Sequence, residues 1–430
     1  RTTTASSMHS ALVIQAGRVV DPASGRDEAA DVLICGGAIV GIGPGLRADG
    51  ARVLNASGKV VAPGLIDVHV HLREPGQERK ETIRTGTQAA VAGGFAAVCC
   101  MPNTDPPLDR PEVIRELRGR IAEDACCRVY PIGAATVGNR GRELTDFAAL
   151  KREGCVAVSD DAFPIQDAGL IREACALAAA VDLPIIPHCE IRPPAGATRP
   201  GALGLPDWWP EAEGIARWIA AARETGARVH IAHVSTLVGA DRIWGARCDG
   251  LQAVSAETAP HYFTCTSAAR EEFGADAKMS PPLREAGDVA TVKARLVDDT
   301  LTIIATDHAP HTPQEKALPF EDAPNGVVGL ETALGLVLTE LVHPGVLSLS
   351  AALAKMTTNP ARTLGLPGGT LAPGAPGDVT VIDPDEPWVV DASTFRSNGR
   401  NTPFNGRALR GKAVATVVGG EPRMLGGEII

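Results

Sequence analysis

An α/β fold is predicted for this 430-residue chain: a (β/α)8 TIM barrel carrying a small β-sandwich domain formed by both chain ends. Three observations carry that expectation. Between about residues 64 and 364, short apolar runs alternate with helix-like stretches. Short, turn-bounded strand patterns flank this region on both sides. Polar residues with ligand or acid–base chemistry gather just after the apolar runs, where the mouth of a barrel would lie.

The N-terminal part of the β domain is read over residues 8–63. ALVIQAGRVVDP, DVLICGGAIVGIGPGL and ARVLNASGKVVAPG alternate apolar and polar residues between Gly, Asp and Pro, which predicts a small antiparallel sheet. The residues before Met8 (RTTTASS) read as a tag remnant or a poorly ordered extension. The barrel is read over 64–364. Its first strand lies in VVAPGLIDVHVHLREPG, and the later ones in FAAVCCMPN, CRVYPIGAAT, CVAVSDD, LPIIPHCE, ARVHIAHVS, LQAVSAETAPH and LTIIATDHAPH. Between them lie helix-like segments such as RPEVIRELRGRIAE, LIREACALAAAV and EGIARWIAAARETG. From 365 to 430 the alternating pattern returns in GGTLAPGAPGDVTVIDPD, EPWVV and GKAVATVVGGEPRML, the C-terminal part of the β domain.

Composition narrows the function classes. The chain is 44% apolar and 21% charged, with a mean hydropathy of +0.04, as expected of a soluble globular protein with one large and one smaller unit. A net charge of −10 argues against nucleic-acid and anionic-membrane partners. Ten cysteines without a C-x-x-C, a signal peptide or a membrane-spanning run fit free thiols in a reducing cytoplasm.

His69-Val70-His71 is the strongest chemical signal. On a strand, residues i and i+2 point to one face, so the two imidazoles project side by side as ligands of one metal would. Asp160-Asp161, His188, His230 and His233, and Asp307, His308 and His311 follow later strand-like runs. Taken singly, His188 also fits a core histidine and Asp307 a helix N-cap. His230 and His233 are three apart and so face opposite sides of a strand. His233, nearer the strand end, is read as the inward one. His308, next to Asp307, is expected to point away, and His9 and His343 are read as surface residues. Four histidines and two aspartates form a nitrogen–oxygen ligand set that suits zinc, with manganese or cobalt as substitutes.

The strings DVHVHLREPGQERKETIRTGTQAAVAGGFAAVCCMPNTDPP, PHCE, HIAHVST, MSPPLRE, IATDHAPH and GVVGLETALG closely resemble the dihydroorotase family of the amidohydrolase superfamily, over residues 10–420. The resemblance implies zinc, one or two ions per chain, held by His69, His71, Asp161, His188, His233 and Asp307. It implies Asp307 as the catalytic acid/base, and Arg73, Asn103 and His311 as the groups that bind the substrate's carboxylate. The implied activity is reversible cyclisation of N-carbamoyl-L-aspartate to L-dihydroorotate in pyrimidine biosynthesis. A homodimer and association with aspartate transcarbamoylase are implied as well.

The chain departs from many members of the superfamily in one respect. Those relatives bridge two metals with a carbamylated lysine near the end of the fourth strand, whereas here the strand reads GCVAVSDD, and Lys151 lies too early. The resemblance is to the branch with an aspartate there. Asp161 is that ligand if strand alternation holds, and a loop at this point would exchange it for Asp160. Ser280 in MSPPLR stands where the family has Asn, Ala162 where it has Gly, and Ile191 where it has an acid. The two tryptophans of LGLPDWWPEAE are read as packing a loop, and the polar stretch 312–326 as a loop that could cover the site. Two competing readings remain: a hydantoinase- or allantoinase-like hydrolase, against which the missing lysine argues, and a non-catalytic partner of aspartate transcarbamoylase, against which the retained ligands argue.

Overall fold

The computed structural model describes residues 11–192 and 205–430. The segment before Met8, His9 and most of the stretch leading to Trp208 lie outside the described residues. Eight parallel strands form one sheet in sequential order: β1 (Leu65–Val70), β2 (Phe95–Cys100), β3 (Arg128–Ala134), β4 (Ala157–Ser159), β5 (Ile185–Ile186), β6 (Val229–Ile231), β7 (Val254–Thr258) and β8 (Ile303–Ile304). The ring closes where Val70 bridges His308 in parallel and the His71 N–H donates to the His308 carbonyl at 2.8 Å. Ile66, Val68, Cys99, Ile132, Ala157, Ile186 and Ile303 belong to one buried cluster drawn from strands around the ring. A closed barrel whose interior is filled by branched side chains leaves room for chemistry only at its ends.

The helices begin where the sequence supplies caps. Thr82 caps Ile83–Ala92 with a capping box, Asp167 caps Ala168–Ala180, and Thr236 caps Leu237–Cys248. Pro111 opens Pro111–Asp124 at a position where its missing N–H has no helical acceptor to lose. The three helical segments named from sequence fall within Pro111–Asp124, Ala168–Ala180 and Trp209–Thr225 to within a residue or two.

The chain ends pair into a nine-stranded sheet. Val60–Pro63 joins them, running parallel to Leu12–Asp21 and antiparallel to Val379–Val389. The sheet is therefore mixed where the N-terminal pattern alone predicts antiparallel pairing. The reason is that Arg52–Asn55 and Val60–Pro63 both return beside Leu12–Asp21 in the same direction. The sheet has its own core, including Leu12, Ile14, Val32, Val61, Val379 and Val417. It meets the barrel through Arg128, which pairs with Asp378 at 2.6 Å. All ten cysteines are free. No helix among the described residues is long and apolar enough to cross a membrane.

Candidate active site

The loops after the barrel strands surround a cavity of about 940 Å³ lined by His71, Arg73, Asn103, Asp161, His188 and Asp307, among others. At its floor, His69, His71 and Asp307 present ligand atoms within 4.8 Å of one another, as do His69, Asp161 and His233. His71 Nε2 lies 3.3 Å and His69 Nε2 3.5 Å from Asp307 Oδ1. Asp161 Oδ1 lies 3.2 Å from His188 Nδ1 and 3.7 Å from His233 Nε2, and those two nitrogens are 2.9 Å apart. The six residues read from sequence as ligands thus converge on one spot from β1, β4, β5, β6 and β8.

The neighbourhood of this cluster fits a cation. His69 Nε2 is buried and has no hydrogen-bond partner, while its Nδ1 faces Glu257 Oε1 at 2.7 Å. A carboxylate accepts the Nδ1 proton, which leaves Nε2 as the ring atom aimed into the cluster. Burial disfavours a charged ring at His69, but Asp307, Glu257 and Asp161 outweigh it and raise its pKa to about 10. The site is a pocket of negative potential that calls for positive charge. Burial pushes the carboxyl of Asp161 upward, yet hydrogen bonds from His188 and His233 and the nearby His71 and His69 hold it well below the ordinary value. Asp307 is likewise held below the usual carboxylate range, against burial, by His69, His71 and His233. Both carboxylates are ionised at neutral pH.

The neighbours of these residues sort as strand alternation predicts, with one exception. Asp160 turns away and accepts the backbone N–H groups of Ile165 and His188, both at 2.8 Å. His308 turns toward Glu81 at 3.3 Å. Lys151 lies on Phe147–Arg152 and donates to the carbonyls of Val181 and Asp182, far from any bridging role. The exception is His230. It is buried and faces Glu257 Oε2 at 3.1 Å, so both it and His233 serve the interior. Alternation fails because β6 ends at Ile231 and His233 adopts φ 36°, in the left-handed region. Arg73 (φ 64°) and Asp307 (φ 50°) share that uncommon conformation. Three non-glycine residues of one site are held in a disfavoured backbone region by the surrounding structure.

Arg73 and its companions form the second half of the cavity. The guanidinium is 6% exposed. Its Nε donates to the Pro310 carbonyl at 3.2 Å and its Nη2 lies 3.3 Å from His311 Nε2. Burial lowers its pKa to about 10, so it remains a cation at neutral pH. Among the described residues no carboxylate stands within ion-pairing distance of it. Asn103 Oδ1 faces His71 Nδ1 at 2.7 Å, which links the MPNT loop to the cluster and leaves the Asn103 amide nitrogen for another partner. The two loops are stitched together: Asp105 N–H donates to the Pro75 carbonyl at 2.9 Å and Gln77 Nε2 to the Asn103 carbonyl at 3.0 Å. Gly76 allows this approach, since a Cβ there would sit 1.8 Å from the Asp105 carbonyl oxygen.

Sequence reasoning misses two acidic residues in this region. Glu257, at the end of β7, holds His69 and His230 at once. Glu190 faces His188 Nε2 at 3.1 Å and accepts from Ser280 Oγ at 3.0 Å, so Ser280 touches a carboxylate at the position where the family has Asn. Both stand just after an apolar run, as the other acids do, but that position alone does not separate an acid that orients a histidine from one that caps a helix. Trp208 stands half-exposed on the cavity wall rather than packed in a loop. From the 312–326 stretch, Pro324, Asn325 and Gly326 reach the same wall.

A family model described as dihydro-orotase-like matches residues 58–237, and one described as the amidohydrolase family matches residues 189–424. The chain is 50% identical over 418 residues to the dihydroorotase of Pelotomaculum thermopropionicum, covering 95% of this chain and 97% of that relative. It is 46% identical over 418 residues to the dihydroorotase of Syntrophotalea carbinolica, covering 95% and 98%. Among solved structures, the L-hydantoinase from Arthrobacter aurescens superposes with a TM-score of 0.88 at 28% identity, over 97% of each chain. A D-hydantoinase from Thermus sp. gives 0.86 at 25% identity, over 97% and 96%.

Proposed function

The chain belongs to the dihydroorotase family and is a cyclic amide hydrolase, and from that premise we propose that the cluster at the barrel mouth holds zinc and interconverts L-dihydroorotate and N-carbamoyl-L-aspartate. The observation that carries the substrate assignment is Arg73: a buried cation without a carboxylate partner among the described residues, beside His311 and Asn103 and opening onto the same cavity as the His–Asp cluster. Burying an unpaired charge is unfavourable unless a ligand supplies the counter-charge. A planar guanidinium offers a carboxylate two parallel donors. Hydantoin and allantoin carry no carboxylate to place there.

In this reading His69, His71, Asp161, His188, His233 and Asp307 hold the metal. Zinc bound there would lower the pKa of a water to about 7 and polarise a carbonyl oxygen. Arg73, His311 and the Asn103 amide fix the substrate's carboxylate, and so choose which ring carbonyl faces the cluster. Asp307, ionised and at the cavity floor, takes a proton from the attacking water and delivers it to the ring nitrogen as the C–N bond breaks. Water thus adds across one amide bond, and the reverse sequence closes the ring. One or two zinc ions per chain, a homodimer, association with aspartate transcarbamoylase and a cytoplasmic setting complete the proposal. They rest on the family resemblance, and the cytoplasmic setting also on ten thiols without a disulfide.

The test is a substrate comparison with purified protein. Turnover of dihydroorotate is expected to exceed that of hydantoin and of allantoin by at least about 10²-fold in kcat/KM, the worth of about 3 kcal/mol of carboxylate recognition. Equal or faster turnover of hydantoin would place the chain with the hydantoinases instead.

A further inference from the structure

Asn401 lies far from the barrel strands in sequence, between the sheet strands Val379–Val389 and Ala408–Val418. Its side chain is nonetheless 2% exposed and sits directly behind the cavity wall. Its Oδ1 accepts the backbone N–H of His311 at 3.1 Å. Its Nδ2 donates to the carbonyls of Ala309 at 3.0 Å and Gly326 at 2.9 Å. Asn325, next to Gly326, accepts His311 Nε2 on its own carbonyl at 2.8 Å. One carboxamide therefore ties the segment that carries His311 to the segment that orients its ring. The anchor behind it is firm, because Ser397 donates to the buried Glu81, Asn398 N–H donates to Glu81 Oε1 at 3.1 Å, and Asn401 O accepts the Val328 N–H at 2.8 Å.

We propose that Asn401 is a positioning residue for substrate recognition: by clamping residues 309–311 to 325–326 it holds the His311 imidazole against the Arg73 guanidinium, and so sets the preference for a substrate bearing a carboxylate. The inference rests on the proposed role of His311 in binding that carboxylate. The carboxamide is matched to its task, since it presents one acceptor and two donors to one N–H and two carbonyls. An aspartate has the same shape but sets a carboxylate oxygen against two carbonyl oxygens, and it loses both donations.

The experiment is a double-mutant cycle on Asn401→Asp and His311→Ala, read with dihydroorotate and with dihydrouracil, the same ring without the carboxylate. Asn401→Asp is expected to raise KM for dihydroorotate by about ten-fold with kcat within about three-fold, and to leave kcat/KM for dihydrouracil unchanged. In the His311→Ala background it is expected to change neither. Asn401→Ser, which keeps an acceptor and one donor on a shorter side chain, recovers part of the KM. Equal losses of kcat/KM on both substrates, or a full additional loss in the His311→Ala background, would show a general structural role and overturn the inference alone. An unchanged KM in His311→Ala would overturn the role of His311, and the inference with it.

Discussion

Asp307→Asn is expected to lower kcat for dihydroorotate by about 10³-fold while the protein stays folded and keeps metal at the cluster. The expectation follows from the proposal that one group does two jobs in sequence. Asp307 Oδ1 lies 3.3 Å from His71 Nε2 and 3.5 Å from His69 Nε2, and the surrounding histidines keep the carboxylate ionised despite its burial. It is therefore available as a base before bond cleavage and, once protonated, as the acid that follows. Acid–base catalysis by a positioned side chain contributes about 10²–10⁴-fold, and the expected loss lies in the middle of that range. Asparagine keeps an oxygen that can face the two histidines, but it has no basic site. The measurement is kcat together with metal content on the same sample. Near wild-type kcat in Asp307→Asn would remove Asp307 from the chemistry, and a variant empty of metal would assign its loss to binding.

Replacing Arg73 by Met should raise KM for dihydroorotate by about 10²-fold or more with a smaller change in kcat. Hydrogen bonds to charged groups contribute about 1.5–3 kcal/mol each, so two lost to one carboxylate amount to roughly 3 kcal/mol or more, and each 1.4 kcal/mol is ten-fold. The same substitution is expected to leave thermal stability unchanged or raised. The guanidinium is buried without an ion-pair partner among the described residues, so removing its charge relieves an unfavourable burial while Met retains the apolar stem. Removing a site residue that strengthens binding while weakening the fold raises KM without lowering Tm. Steady-state kinetics and a melting curve decide it. An unchanged KM would show that the carboxylate is held elsewhere, and a large drop in Tm would mean that Arg73 serves mainly as a structural brace.

Most of the His–Asp cluster is legible in the sequence because barrel geometry converts one-dimensional order into convergence. Any histidine or carboxylate just after an apolar run arrives at the same mouth, and His69, Asp161, His188 and Asp307 meet there. Alternation also separated Asp161 from Asp160 and turned His308 away. It broke down at His230 and His233, where the strand stops after three residues and the backbone enters a left-handed turn. A period-two rule has no force beyond the end of its strand.

Other parts of the site were out of reach for a different reason. Glu257 follows an apolar run as the clustered histidines and aspartates do, but nothing local distinguishes an acid that orients a histidine from one that caps a helix. Asn401 lies in a polar connection of the terminal sheet, and only the tertiary arrangement brings that connection behind His311. The unpaired state of Arg73 is likewise a property of its surroundings, visible once every nearby carboxylate is placed. Local pattern reports what a residue can do, and the packing of distant segments decides which of those capacities is used.

The central claim, that a metal held by the His–Asp cluster makes this chain a dihydroorotase, is tested most directly by elemental analysis of the purified protein paired with dihydroorotate turnover before and after chelation. The expected result is at least one zinc per chain, activity abolished by the chelator, and activity restored by added zinc. A folded protein that contains no metal, or one that turns over dihydroorotate undiminished after its metal is stripped, would contradict it.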